Sequence, residues 1–110
     1  LRTYELLFIV QPQLEDEELE ALIEQVRQVI TNNGGEVIRA ESMGRQRLAY
    51  AIRKRTEGFY VLAHAKMERT AILELERFLK LSEDVLRHML IRLDETINVE
   101  PETAEEEMQA

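Results

Sequence analysis

The 110-residue sequence predicts a single α+β domain in the order strand, helix, strand, strand, helix, strand. Two observations carry this reading. Two segments space their apolar residues at helical intervals, and four others are rich in β-branched and aromatic residues with period-two alternation. Proline, glycine and polar clusters punctuate the chain between them.

The first strand is Arg2 to Val10, since "TYELLFIVQP" halts at Pro12, which cannot continue a ladder. In "LEDEELEALIEQVRQVITNNGG", Leu19, Leu22, Ile23, Val26, Val29 and Ile30 share a helical face. Acids fill its first turn, where the helix dipole favours them, with Asp16 as the expected N-cap. Asn32 to Gly35 ends the helix. "EVIRAESMGRQRLAYAIRK" reads as a long strand, bent or bulged at Gly44. A turn near Arg55-Thr56-Glu57-Gly58 leads into its hairpin partner, "FYVLAHAKM". From Thr70, the expected N-cap, Ala71, Ile72, Leu75, Phe78 and Leu79 fall at helical spacing. After a polar loop at Ser82 to Asp84, "VLRHMLIRL" reads as the last strand, with a helix capped by Ser82 as the alternative. Right-handed crossovers in one sheet turn this order into a ferredoxin-like βαββαβ fold, a four-stranded antiparallel sheet with two helices on one face. Residues 1–93 are the expected folded domain and 94–110 a mobile acidic tail.

Alternation assigns the two sheet faces. Tyr4, Leu6, Phe8 and Val10, then Leu48, Tyr50 and Ile52, then Phe59, Val61, Ala63, Ala65 and Met67, are expected under the helices. The open face would then carry apolar Leu7, Ile9, Ala49, Ala51, Tyr60 and Leu62 among Arg45, Arg47, Arg53, His64 and Lys66. An apolar patch rimmed by charge suggests a macromolecular partner, with Leu7, Ile9, Tyr60 and Leu62 as its contact residues. Scattered apolar residues on a sheet face are the plainer reading of the same pattern.

The net charge is −8, yet residues 94–110 alone contain seven acids and no base. Residues 1–93 carry 14 bases against 15 acids, and residues 44–60, "GRQRLAYAIRKRTEGFY", hold five bases and one acid. A nucleic-acid surface needs a local positive potential and not a positive total. Arg45, Arg47 and Arg53 are expected on one face, with Lys54 and Arg55 at the hairpin turn, as a row suited to successive phosphates. The competing reading pairs these bases with Glu41 and Glu57 along a solvated strand edge.

Catalytic chemistry has little support. The chain has no cysteine, which excludes disulfides, thiolate metal sites and cysteine nucleophiles. His64 and His88 stand in different strands without metal-ligand spacing; His64 reads as solvent-facing and His88 as partly buried. No GxGxxG or Walker pattern is present, so no metal, cofactor or small-molecule substrate is expected. No apolar run reaches membrane-spanning length, and a cytoplasmic protein without a membrane partner is expected. "EGFYVLAH" echoes the aromatic strand of an RNA-recognition module, but alternation sends Phe59 inward and leaves only Tyr60 exposed for stacking.

"RTYELLFIVQP", "GRQRLAYAIRKRTEGFYV" and "VLRHMLIRL", with helices between, resemble the bacterial small-subunit ribosomal protein S6 family over residues 2–93. The middle stretch is the specific part, through Gly44, Arg47, Leu48-Ala49-Tyr50, Ile52, Lys54 and Gly58. The resemblance implies a non-enzymatic protein that binds the central domain of small-subunit ribosomal RNA together with ribosomal protein S18. It implies RNA-facing roles for Arg2, Arg47, Lys54 and Arg87; Arg45, Arg53 and Arg55 join them on charge and face alone. A dimerising regulatory module of the same topology is the rival reading, distinguished by self-association without salt-sensitive RNA binding.

Overall fold

The strand that organises the molecule is β1 (Arg2–Val10), which pairs antiparallel with β3 (Arg55–Met67) on one side and β4 (Val85–Arg92) on the other. A computed structural model describes residues 1–93, and the expected acidic tail lies outside the described residues. β2 (Glu36–Ile52) completes a sheet ordered β2-β3-β1-β4, with α1 (Asp16–Asn32) and α2 (Arg69–Leu81) joining the strands in βαββαβ order. The expected ferredoxin-like fold is observed. The segment after Ser82 is a strand, and Ser82 closes α2 by donating its N–H to the Phe78 carbonyl.

The core forms where the inward face of the sheet meets the two helices. Leu6, Phe8 and Val10 of β1 and Val61, Ala63, Ala65 and Met67 of β3 are buried against Leu19, Leu22, Val26 and Ile30 of α1 and Ala71, Leu75 and Leu79 of α2. Each fully buried large side chain contributes about 1.5–3 kcal/mol of transfer free energy.

Both helices begin earlier than propensity suggests. Glu15, not Asp16, is the N-cap of α1, and its backbone N–H donates to Glu18 Oε1 at 3.1 Å. Glu18, three residues beyond the N-cap, is the position from which a capping box supplies this acceptor. For α2 the N-cap is Glu68, not Thr70. β3 runs to Met67, so one extended residue is all that separates strand from helix.

β2 departs from simple alternation. Ser42 lies opposite Val61, but Gly44 lies opposite Tyr60, so β2 carries an extra residue there. Gly44 has φ of +89°, a backbone conformation that side-chain-bearing residues rarely adopt. The insertion exchanges the faces of the residues just after it, and a second register shift follows between Arg47 and Ile52. The turn also sits elsewhere than expected: Arg53 and Lys54, with φ of 50° and 65°, form a two-residue connection, and Arg55 to Gly58 already belong to β3. Gly58 is no turn glycine. It is buried against β1, where an added Cβ would stand 2.7 Å from Ile9 Cγ2 and 2.9 Å from the Val10 carbonyl oxygen.

Because that carbonyl belongs to a paired central strand, it has little room to yield. Gly58→Ala is expected to lower unfolding free energy by about 2 kcal/mol, an overpacking cost, measured by urea unfolding at unchanged m-value.

Candidate nucleic-acid and partner interface

The bulge at Gly44 decides what the open sheet face is made of. Leu48, Tyr50 and Ile52, expected under the helices, instead line a groove on the opposite face with Leu7, Ile9 and Tyr60. The groove has a volume of about 230 Å³ and is bounded on the β4 side by Arg87, His88 and Met89. Leu48 is buried there, while Tyr50 remains 58% exposed. Leu62 sits opposite Leu7 in the ladder, so the four expected partner-face residues do share this surface. Met89 and Ile91, both exposed, extend it along β4. Carrying the alternation one residue past Gly44 would have located Leu48, Tyr50 and Ile52 from the sequence.

Farther along the same face the surface becomes polar. His64 is buried rather than solvent-facing, and its Nε2 lies 2.9 Å from Glu5 Oε1 on the neighbouring strand. Arg39, opposite His64 on the other side, forms an ion pair with Glu41. His88 is half-buried in β4, and no cluster of potential metal ligands occurs among the described residues.

The bases of residues 44–60 do not share one face. After the bulge Arg45 lies opposite Phe59 on the helix side, its guanidinium 5.2 Å from the ring centroid, and its Nη2 donates to the Pro12 carbonyl at 2.9 Å. Arg53 occupies the turn, with Nη1 3.5 Å from the Glu83 carbonyl oxygen. Arg55 Nη1 donates to Gln11 Oε1 at 3.2 Å. Arg47 and Lys54 are exposed and have no side-chain hydrogen bond or ion pair among the described residues. None of the five forms an ion pair with a carboxylate among those residues; Glu41 is engaged by Arg39 instead. Arg45, Arg53 and Arg55 are thus held by neutral carbonyl and amide oxygens, and Glu57 lies opposite Arg47 in the ladder.

Two other expected bases belong to other strands. Arg2 is at the opposite end of β1, level with Met67, about 27 Å from the Val10 end at 3.4 Å per residue. Arg87 faces the groove, where its Nη1 donates to the Tyr50 hydroxyl and its guanidinium lies 5.9 Å from that ring centroid. This contact spans from β4 to the end of β2 and draws the hairpin over the open face.

The family model described as Ribosomal protein S6 matches residues 3–92. The chain is 44% identical over 95 residues to small ribosomal subunit protein bS6 of Moorella thermoacetica, covering 86% of this chain and 97% of the relative. It is 49% identical over 89 residues to bS6 of an Exiguobacterium species, covering 81% and 94%. The crystal structure of 30S ribosomal protein S6 from Thermotoga maritima superposes with a TM-score of 0.81 at 30% identity, covering 99% of this chain and 98% of that one.

At the hairpin tip, two positive-φ residues in a two-residue turn favour Asn-Gly, whereas Arg-Lys holds charge there at a backbone cost of about 1 kcal/mol per residue. Replacing Arg53-Lys54 with Asn-Gly is expected to raise stability by about 1 kcal/mol, read by urea unfolding. A fall in stability would mean that the Arg53 contact with Glu83 outweighs the strain.

Proposed function

The chain belongs to the ribosomal protein S6 family, and from that membership we propose that it binds the central domain of small-subunit ribosomal RNA together with ribosomal protein S18. It is a protein of the small ribosomal subunit, in a family of structural components and not of enzymes. The observation that carries the RNA reading is the β2–β3 hairpin, whose five bases form no ion pair with a carboxylate among the described residues. Lys54 at the tip and Arg47 on β2 have their full donor sets available for phosphate oxygens. Arg45, Arg53 and Arg55 tie the hairpin to the sheet end while adding to the same positive potential. Arg2 serves as a separate, outlying contact, while Arg87 stands against Tyr50 of the hairpin.

The groove beside the hairpin supports the second half of the proposal. Leu7, Ile9, Tyr60 and Leu62, with Leu48 and Ile52, offer S18 a continuous apolar surface wide enough to take side chains between β2 and β4. Protein and RNA would thus meet on two sides of one hairpin. As part of the ribosome, the protein works in the cytoplasm.

The test is a salt series of binding to a central-domain RNA fragment, with and without S18. Binding strengthened by S18 is expected, and Arg47→Ala and Lys54→Ala should each reduce the slope of log K against log salt by about 0.9 per lost phosphate contact. Salt-independent binding, or none under either condition, would overturn the proposal.

A further inference from the structure

Gln11, in the loop between β1 and α1, stands where three segments converge. Its backbone N–H donates to the Asp84 carbonyl at 2.8 Å, and its Nε2 donates to Asp84 Oδ1 at 3.1 Å. Its Oε1 accepts from Arg55 Nη1 at 3.2 Å and from the Gln13 backbone N–H at 2.8 Å. One half-buried side chain therefore joins the β1–α1 loop, the α2–β4 loop and the tip end of the basic hairpin.

The chemistry of the position is restrictive. On one side two N–H donors require an acceptor; on the other, the carboxylate of Asp84 requires a donor. Only a primary amide of this length meets both, and the partners fix which way it points. Glutamate would satisfy Arg55 and oppose Asp84, and an apolar side chain would satisfy neither. Around this amide, Arg45 reaches the Pro12 carbonyl and Arg53 approaches the Glu83 carbonyl, so the hairpin's lateral tethers all end within one residue of Gln11 or Asp84.

We propose that Gln11 is a positioning residue for RNA binding: its amide locks the hairpin in the attitude that presents Arg47 and Lys54, without itself touching RNA. This rests on the RNA reading given above. Arginine and lysine side chains, and the hairpin that carries them, lose conformational freedom on binding, and a hairpin already seated loses less. Gln11 thus acts on affinity through pre-organisation and leaves the number of phosphate contacts unchanged.

The experiment uses the full chain as wild type, as Gln11→Met, which keeps length without donor or acceptor, and as the double variant Gln11→Glu with Asp84→Asn. The double variant restores both side-chain bonds with their polarity reversed at the Asp84 end and conserves net charge. Affinity for the central-domain RNA fragment is measured across salt, alongside backbone amide order parameters at residues 53–55 without RNA. Gln11→Met is expected to weaken binding about fivefold, in the range of one lost hydrogen bond, with an unchanged salt slope and lowered order parameters. The double variant should recover both. Wild-type affinity in Gln11→Met, or a reduced salt slope, would overturn the positioning role. Wild type that fails to bind RNA at all would instead overturn the RNA reading on which it rests.

Discussion

One extra residue between Ser42 and Gly44 governs the arrangement of this molecule's surfaces. A strand has period two, so a single insertion sends every later side chain to the opposite face. Ahead of the bulge, Ala40 lies on the helix side of the sheet and is buried in the core. Beyond it, Arg45 takes the helix side and Leu48 goes to the open face, where it becomes a wall of the groove. With strict alternation the apolar run of β2 would have been aimed at a core already filled by Phe8, Val61 and the helices. The bulge lets one strand serve the core with its first half and the interface with its second.

The hairpin beyond the bulge is consequently held from two sides by different chemistry. Toward the helix layer it is tied by arginine donors to carbonyl and amide oxygens. Toward the open face it is held by the Tyr50–Arg87 contact and by apolar packing in the groove. Neutral acceptors orient a guanidinium without cancelling its charge, which an exchange for carboxylates would do. This separates the geometric from the electrostatic role of the same residues, in a chain whose net charge of −8 owes most to seven acids in residues 94–110.

Much of this architecture can be read from the amino-acid sequence, and the exceptions have identifiable causes. β1 and the inward face of β3 follow binary alternation because each is paired on both sides and its faces are unambiguous. Helix starts were displaced because tertiary demands, the capping partner at Glu18 and the abrupt end of β3 at Met67, outweighed the intrinsic preference for Asp and Thr caps. Glycine misled in one place and informed in another: Gly58 serves a close strand approach, not a turn, while Gly44 marks a bulge whose consequence for parity lies outside any local pattern. The burial of His64 depends on Glu5, 59 residues away in sequence, and the role of Gln11 depends on Asp84, 73 residues away. Pairings of that separation leave no trace in local composition.

The central position of β1 has a consequence during synthesis. β1 is synthesised before both of its partners, β3 and β4, with α1 and β2 made in between. At ordinary elongation rates, on the order of 3 to 10 s separate the completion of Val10 from that of Met67. For that interval a nine-residue stretch with Leu6, Phe8 and Val10 on one side and Leu7 and Ile9 on the other has no ladder to join. Arg2 and Glu5 within it, and Pro12 just beyond, are the kind of residues that discourage pairing with another nascent chain. The strand that later binds the sheet together must first be kept from binding anything else.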